Sequence, residues 1–163
     1  MDNNIQASSL KNKDEVISDL KELLELVNDG KEGYHTASEA TESPELKALF
    51  SKLSGERIVY AAELKEHITV HGGEADNESG GILGGLHRTW LSIKEKWSGN
   101  DNSSLIETII TGEKAVITKY NELIADFADH ADHMELLKTQ REGIQDALNT
   151  IESEKAIYGK TGE

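Results

Sequence analysis

The sequence contains no cysteine. That excludes disulfides, thiolate metal sites, iron–sulfur clusters and cysteine nucleophiles. The absence says little about compartment and is compatible with the cytoplasm. There is one proline, Pro44, and aromatic residues make up 5% of the 163. Leu, Ile, Ala, Glu and Lys are common instead, which favours helix over sheet. Positive charge is scarce: 17 Lys and Arg stand against 31 Asp and Glu, a formal charge of -14. Nucleic acid and anionic membrane surfaces attract cations, so neither is an expected partner. No run approaches the ~20 apolar residues of a membrane helix. Met1 to Leu10 is polar and lacks the apolar core of a signal peptide. The expectation is a soluble, cytoplasmic protein of bacterial type, with one domain and a sizeable core.

What is present is helical periodicity with clear punctuation. Residues 1–11 read as a flexible polar leader, and 159–163 as a tail, around a bundle over 12–158. Asn12 and Glu15 have capping-box spacing. The first helix then runs from about Lys13 to Thr41, with Val16, Leu20, Leu23, Val27, Tyr34 and Ala37 on one face. Gly30 and Gly33 interrupt it, each at a cost of roughly 1 kcal/mol relative to alanine. They admit close packing, a local bulge or a kink. Ser43-Pro44 reads as an N-cap followed by a first-turn proline. The second helix ends near His71, before Gly72-Gly73. The connection between these helices is so short that they must pack antiparallel, with Glu56 level with Lys31 and Glu32.

Residues 72–101 form a long connection. Within it, Ile82 to Trp97 reads as a short helix with Leu83, Leu86, Trp90, Ile93 and Trp97 on one face, the two tryptophans packing across the bundle. Ser104 and Glu107 have capping-box spacing at the start of a third helix that ends near Phe127. Asp132 and Glu135 open a fourth, with the stripe Met134, Leu137, Arg141, Ile144, Leu148, Ile151 and Tyr158. Two hairpins joined by one long connection are the layout of an all-α, ferritin-like antiparallel four-helix bundle with a short crossover helix.

Two stripes are interrupted by charge. Glu113 falls among Ile106, Ile109, Ile110, Ile117, Tyr120, Ile124 and Phe127. Glu56 falls among Leu46, Leu49, Leu53, Tyr60, Leu64 and His67. A carboxylate in a core is costly unless it is paired, hydrogen-bonded or bound to metal. A two-metal bundle site uses about four carboxylates and two histidines, each histidine three residues after a glutamate. Glu32 and His35 are the one such pair, and their helical neighbours Asn28 and Glu39 mark a solvent-facing stripe. At the corresponding place in the fourth helix stand Gln145 and Leu148. The site therefore reads as eroded. Lys31 is the expected counter-charge for the inward carboxylates, with Arg57 and Arg141 also able to reach inward.

The other histidines carry less. His67 and His71, with Glu63, could take an adventitious zinc, copper or nickel ion. Plain surface histidines explain the pair more simply. Capping and solvent exposure account for His130 and His133. No phosphate-binding loop, nucleophile elbow or nucleotide fingerprint is present.

Several segments together resemble a family of uncharacterised bacterial ferritin-like four-helix-bundle proteins, a domain of unknown function. They are Asp29 to Tyr34, Pro44 to Phe50, Glu56-Arg57 with Ala61 to Leu64, Leu86 to Trp90, Gly112-Glu113, and Gln140 to Ile151. The resemblance spans roughly residues 15–155 and implies a fold but no established reaction. It also implies a glutamate where Lys31 stands and a histidine where Leu148 stands; both departures remove ligands. The expected function is a non-catalytic bundle without a cofactor, acting through a protein partner or as a homo-oligomer. The alternative is an iron or manganese protein using Glu56, Glu113, Glu32 and Glu142.

Overall fold

The structure, a computed structural model, describes residues 12–74, 90, 93, 101–127 and 130–160. The expected leader and most of the crossover helix, Trp97 included, lie outside them. Four helices account for nearly all of the described chain, and no strand occurs among the described residues. They are α1 (Lys13–Ala40), α2 (Pro44–Val70), α3 (Asn102–Asp126) and α4 (Ala131–Lys160). Helix α4 thus continues two residues into the expected tail.

Local chemistry sets the helix starts. Asn12 caps α1 in a full capping box: its side chain accepts from the Glu15 amide at 2.9 Å, and the Glu15 carboxylate accepts from its amide at 3.0 Å. Ser43 caps α2 ahead of Pro44, as the residue types require. The third helix starts earlier than its Ser104–Glu107 pattern suggests. Asp101 is the cap and accepts from the Ser104 amide at 2.9 Å. Glu107 instead pairs with Lys155 of α4 at 2.6 Å. Helix α2 ends at His71, and Gly72 follows with φ +93°, a left-handed conformation that glycine adopts without strain.

Side-chain contacts give the arrangement. Helices α1 and α2 form one hairpin, and α3 and α4 the other. Tyr34 of α1 bonds to Glu113 of α3, and Gln140 of α4 to Tyr60 and Glu63 of α2. The helices therefore form a ring in the order α1, α2, α4, α3, each antiparallel to its neighbours. The α1–α2 turn lies at one end, where Thr41 donates to Asn102 at 3.0 Å and Tyr158 meets Ser43 at 3.0 Å. The α3–α4 turn lies at the other end, where His67 meets His133. So α2 finishes and α3 begins at opposite ends. Two clusters of buried side chains fill the interior, one around Leu20, Leu64, Tyr120 and Leu137, the other around Tyr34, Phe50, Ile109 and Ile151. Trp90 and Ile93, between the hairpins, are buried in the second.

Candidate functional site

Glu113 is completely buried, as its stripe predicts. The opposing face of α2 differs from the expected one by a single position. The residues turned inward are Leu46, Phe50, Leu53, Ser54, Arg57, Leu64 and Ile68. Glu56 is only half-buried, and Arg57 takes the core position. Its Nη2 donates to both carboxylate oxygens of Glu113. The Tyr34 hydroxyl donates to Oε2 of the same carboxylate at 2.6 Å. The guanidinium also lies over the Tyr34 ring, 5.4 Å from its centroid.

Electrostatics keep Arg57 charged and the Tyr34 phenol protonated. Burial is the largest single influence and favours a neutral guanidinium, but the Glu113 charge, Tyr34 and the hydrogen bonds to Glu113 together outweigh it and lift the Arg57 pKa above its ordinary value. Burial, then Glu113, pushes the Tyr34 phenol well above its ordinary value. The result is a cation and an anion neutralising each other, with the phenol proton between ring and carboxylate.

The glycines explain how so large a group fits. A Cβ on Gly30 would collide with Nη1 of Arg57. A Cβ on Gly33 would lie 2.9 Å from Cζ3 of Trp90, and one on Gly112 would lie 2.8 Å from two atoms of the same indole. These three glycines form a slot between α1 and α3 that takes the guanidinium and the indole side by side. Trp90 packs on Tyr34 with ring centroids 5.5 Å apart. Gly30 and Gly33 thus serve close packing, and α1 continues through them without a break.

The other expected residues are placed elsewhere. Lys31 does not neutralise the core. Its side chain is 30% exposed and sits 3.6 Å from Glu32, so of the three basic residues expected to reach inward Arg57 is the one that pairs with the buried carboxylate. The cause is rotational: Lys31 follows Gly30 by one residue, a turn of ~100° away from the core face. Arg141 bonds to Asn121 at the surface. Glu32 is 71% exposed, and His35 pairs outward with Glu39 at 3.4 Å. Glu142 is exposed as well. His67 and His71 meet Asp132 and His133 rather than Glu63, whose carboxylate accepts from Gln140 at 2.9 Å.

The four carboxylates proposed as iron or manganese ligands are therefore not brought together. Glu113 is inside, Glu56 at the margin, and Glu32 and Glu142 in solvent. Both oxygens of the buried carboxylate already accept from Arg57. A cationic guanidinium in that position repels a metal cation, so this donor set does not fit a two-metal centre.

A family model described as a domain of unknown function, DUF2383, matches residues 15–126, more than half of the chain. The chain belongs to that family. The match spans α1, α2, Trp90 and α3, including every residue of the triad and its glycine slot. No curated protein matches the chain.

Proposed function

We propose that this protein is a ferritin-like bundle in which an internal ion pair stands where related bundles place metal, and that it acts non-catalytically, through association with another protein or with copies of itself. The observation that carries this reading is the Arg57 guanidinium seated on Glu113 in the core. It occupies the one fully buried carboxylate among the described residues. The outer face of α2 supports the association. Ile58 and Val59 there are 55% and 52% exposed, two large apolar neighbours in mid-helix. A bacterial, cytoplasmic setting goes with this reading and is compatible with an acidic, cysteine-free chain.

Two measurements test it. Fe(II) or Mn(II) offered to tag-free protein should show no oxidation that depends on Glu113. Turnover lost in Glu113→Gln would overturn the reading. Sedimentation over a range of concentrations, alone and with a cell extract of the source organism, should reveal an assembled species that Ile58→Lys with Val59→Lys weakens.

A further inference from the structure

The end of the bundle away from the ion pair gathers a second group of polar side chains. His67 and His71 lie one turn apart where α2 finishes, and Asp132 and His133 lie in the first turn of α4. Nε2 of His67 is 2.6 Å from Nδ1 of His133, and Nε2 of His71 is 2.8 Å from Oδ2 of Asp132. One donor atom from each of the four falls within 4.8 Å of all the others. His133 is buried, at 5% exposure. Burial also pushes the His67 and His133 imidazoles below the usual histidine range.

We propose that His67, His71, Asp132 and His133 bind one divalent transition-metal ion of the zinc class, which ties the end of α2 to the start of α4. The tautomer of His71 supports this. Its Nδ1 is 2.9 Å from the His67 carbonyl oxygen, so that nitrogen carries the proton. The other nitrogen then turns a lone pair toward a carboxylate oxygen, which is repulsive unless a cation or a second proton lies between them. A backbone carbonyl that fixes one ring nitrogen while the other faces the metal is the usual support of a histidine ligand.

The donor set defines the ion. Three imidazoles and one carboxylate suit zinc, cobalt, nickel or copper and disfavour magnesium and calcium, which take oxygen. Four protein ligands make a closed, structural set. Bonds of ~2.0–2.1 Å in a tetrahedron place donors roughly 3.3 Å apart, so the two short contacts must open by less than about 1 Å and the wider donor pairs close by up to about 1.5 Å. Beside this set, the His130 Nε2 is buried without a hydrogen-bond partner, and its ring lies 5.2 Å from that of His133. Both rings border a cavity of about 470 Å³ that Lys13 and Ile17 also line. A structural ion here is independent of the core ion pair and compatible with a non-catalytic role.

The test uses full-length, tag-free protein stripped with a chelator and titrated with Co(II), then Zn(II), with Mg(II) as control. The expected result is one Co(II) per chain, with the intense visible absorption of four-coordinate cobalt. Zn(II) should displace it and raise the melting temperature, and Mg(II) should do neither. His71→Gln and His67→Gln, checked for helix content, should each weaken binding on the order of tenfold or more. Glu32→Gln, in solvent on α1, should leave it unchanged. Absence of the cobalt spectrum, or equal binding in His71→Gln, would overturn the proposal. So would a melting temperature indifferent to Zn(II), the result expected if a second proton on His71 satisfies Asp132.

Discussion

The charge of Arg57 is tolerated in the core only because Glu113 is there, and the reverse holds equally. Arg57→Met strands a buried carboxylate and should lower stability by about 3–5 kcal/mol. Arg57→Met combined with Glu113→Leu removes both charges and should recover most of that loss. Urea unfolding of the single and double variants checks this; equal losses in both would show that the pair is not coupled. Lys31→Met, at a partly exposed position, should change stability by no more than about 0.5 kcal/mol.

Tyrosine ionisation reads the same centre from another side. Burial pushes the Tyr34 and Tyr120 phenols well above the value they would have unfolded. A raised folded pKa means stability that is complete below the unfolded value of about 10 and is lost as pH rises beyond it. Ultraviolet titration should therefore show these two phenols ionising only as the helical signal collapses. Tyr34→Phe and Tyr120→Phe should each reduce the amplitude of that late phase.

Glu113 was legible because every helical neighbour of its stripe is apolar, so no other rotation of α3 buries the helix well. Arg57 was legible only as one of three basic residues able to reach inward, because α2 offers two nearly equal faces. Leu49, Glu56 and Tyr60 compete with Phe50, Arg57 and Ile68, and exposed Ile58 and Val59 blur both. An arginine stem that buries its methylenes tips the balance, and hydropathy counts that residue only as charge.

At the scale of the element, caps and packing glycines set the helices. Asn12→Ala removes half of a capping box and should cost about 1 kcal/mol. The glycine slot has a sharper requirement. Gly33→Ala gains helix propensity but drives a methyl into a rigid indole, so a net loss of about 1–3 kcal/mol is expected on thermal melting. Trp90→Ala empties the slot and should cost about 3–5 kcal/mol. A melting temperature indifferent to either change would place the ring elsewhere. The oddity of Gly30 and Gly33 was visible in the sequence. What they accommodate was not, because the indole arrives from a segment some sixty residues further along the chain. Of the cluster at the other end, the His67–His71 pair was visible, but its partners Asp132 and His133 were not, because they meet it only through the ring order of the helices.

At the scale of the molecule, hairpins joined by tight turns were readable from capping signals and the length of each periodic run. Their lateral arrangement depends on cross-helix pairs such as Tyr34 with Glu113 and Tyr60 with Gly143. The slot also has a kinetic consequence. Each hairpin closes through short-range contacts, whereas the seat for Trp90 needs α1 and α3 already side by side. Docking of the indole should then be a late step in folding. In a Trp97→Phe background, stopped-flow refolding should show the helical signal recovering before the Trp90 fluorescence, and Gly112→Ala should slow the fluorescence phase selectively. The residue between the hairpins would act as a latch, closing only on a bundle whose halves have met in register.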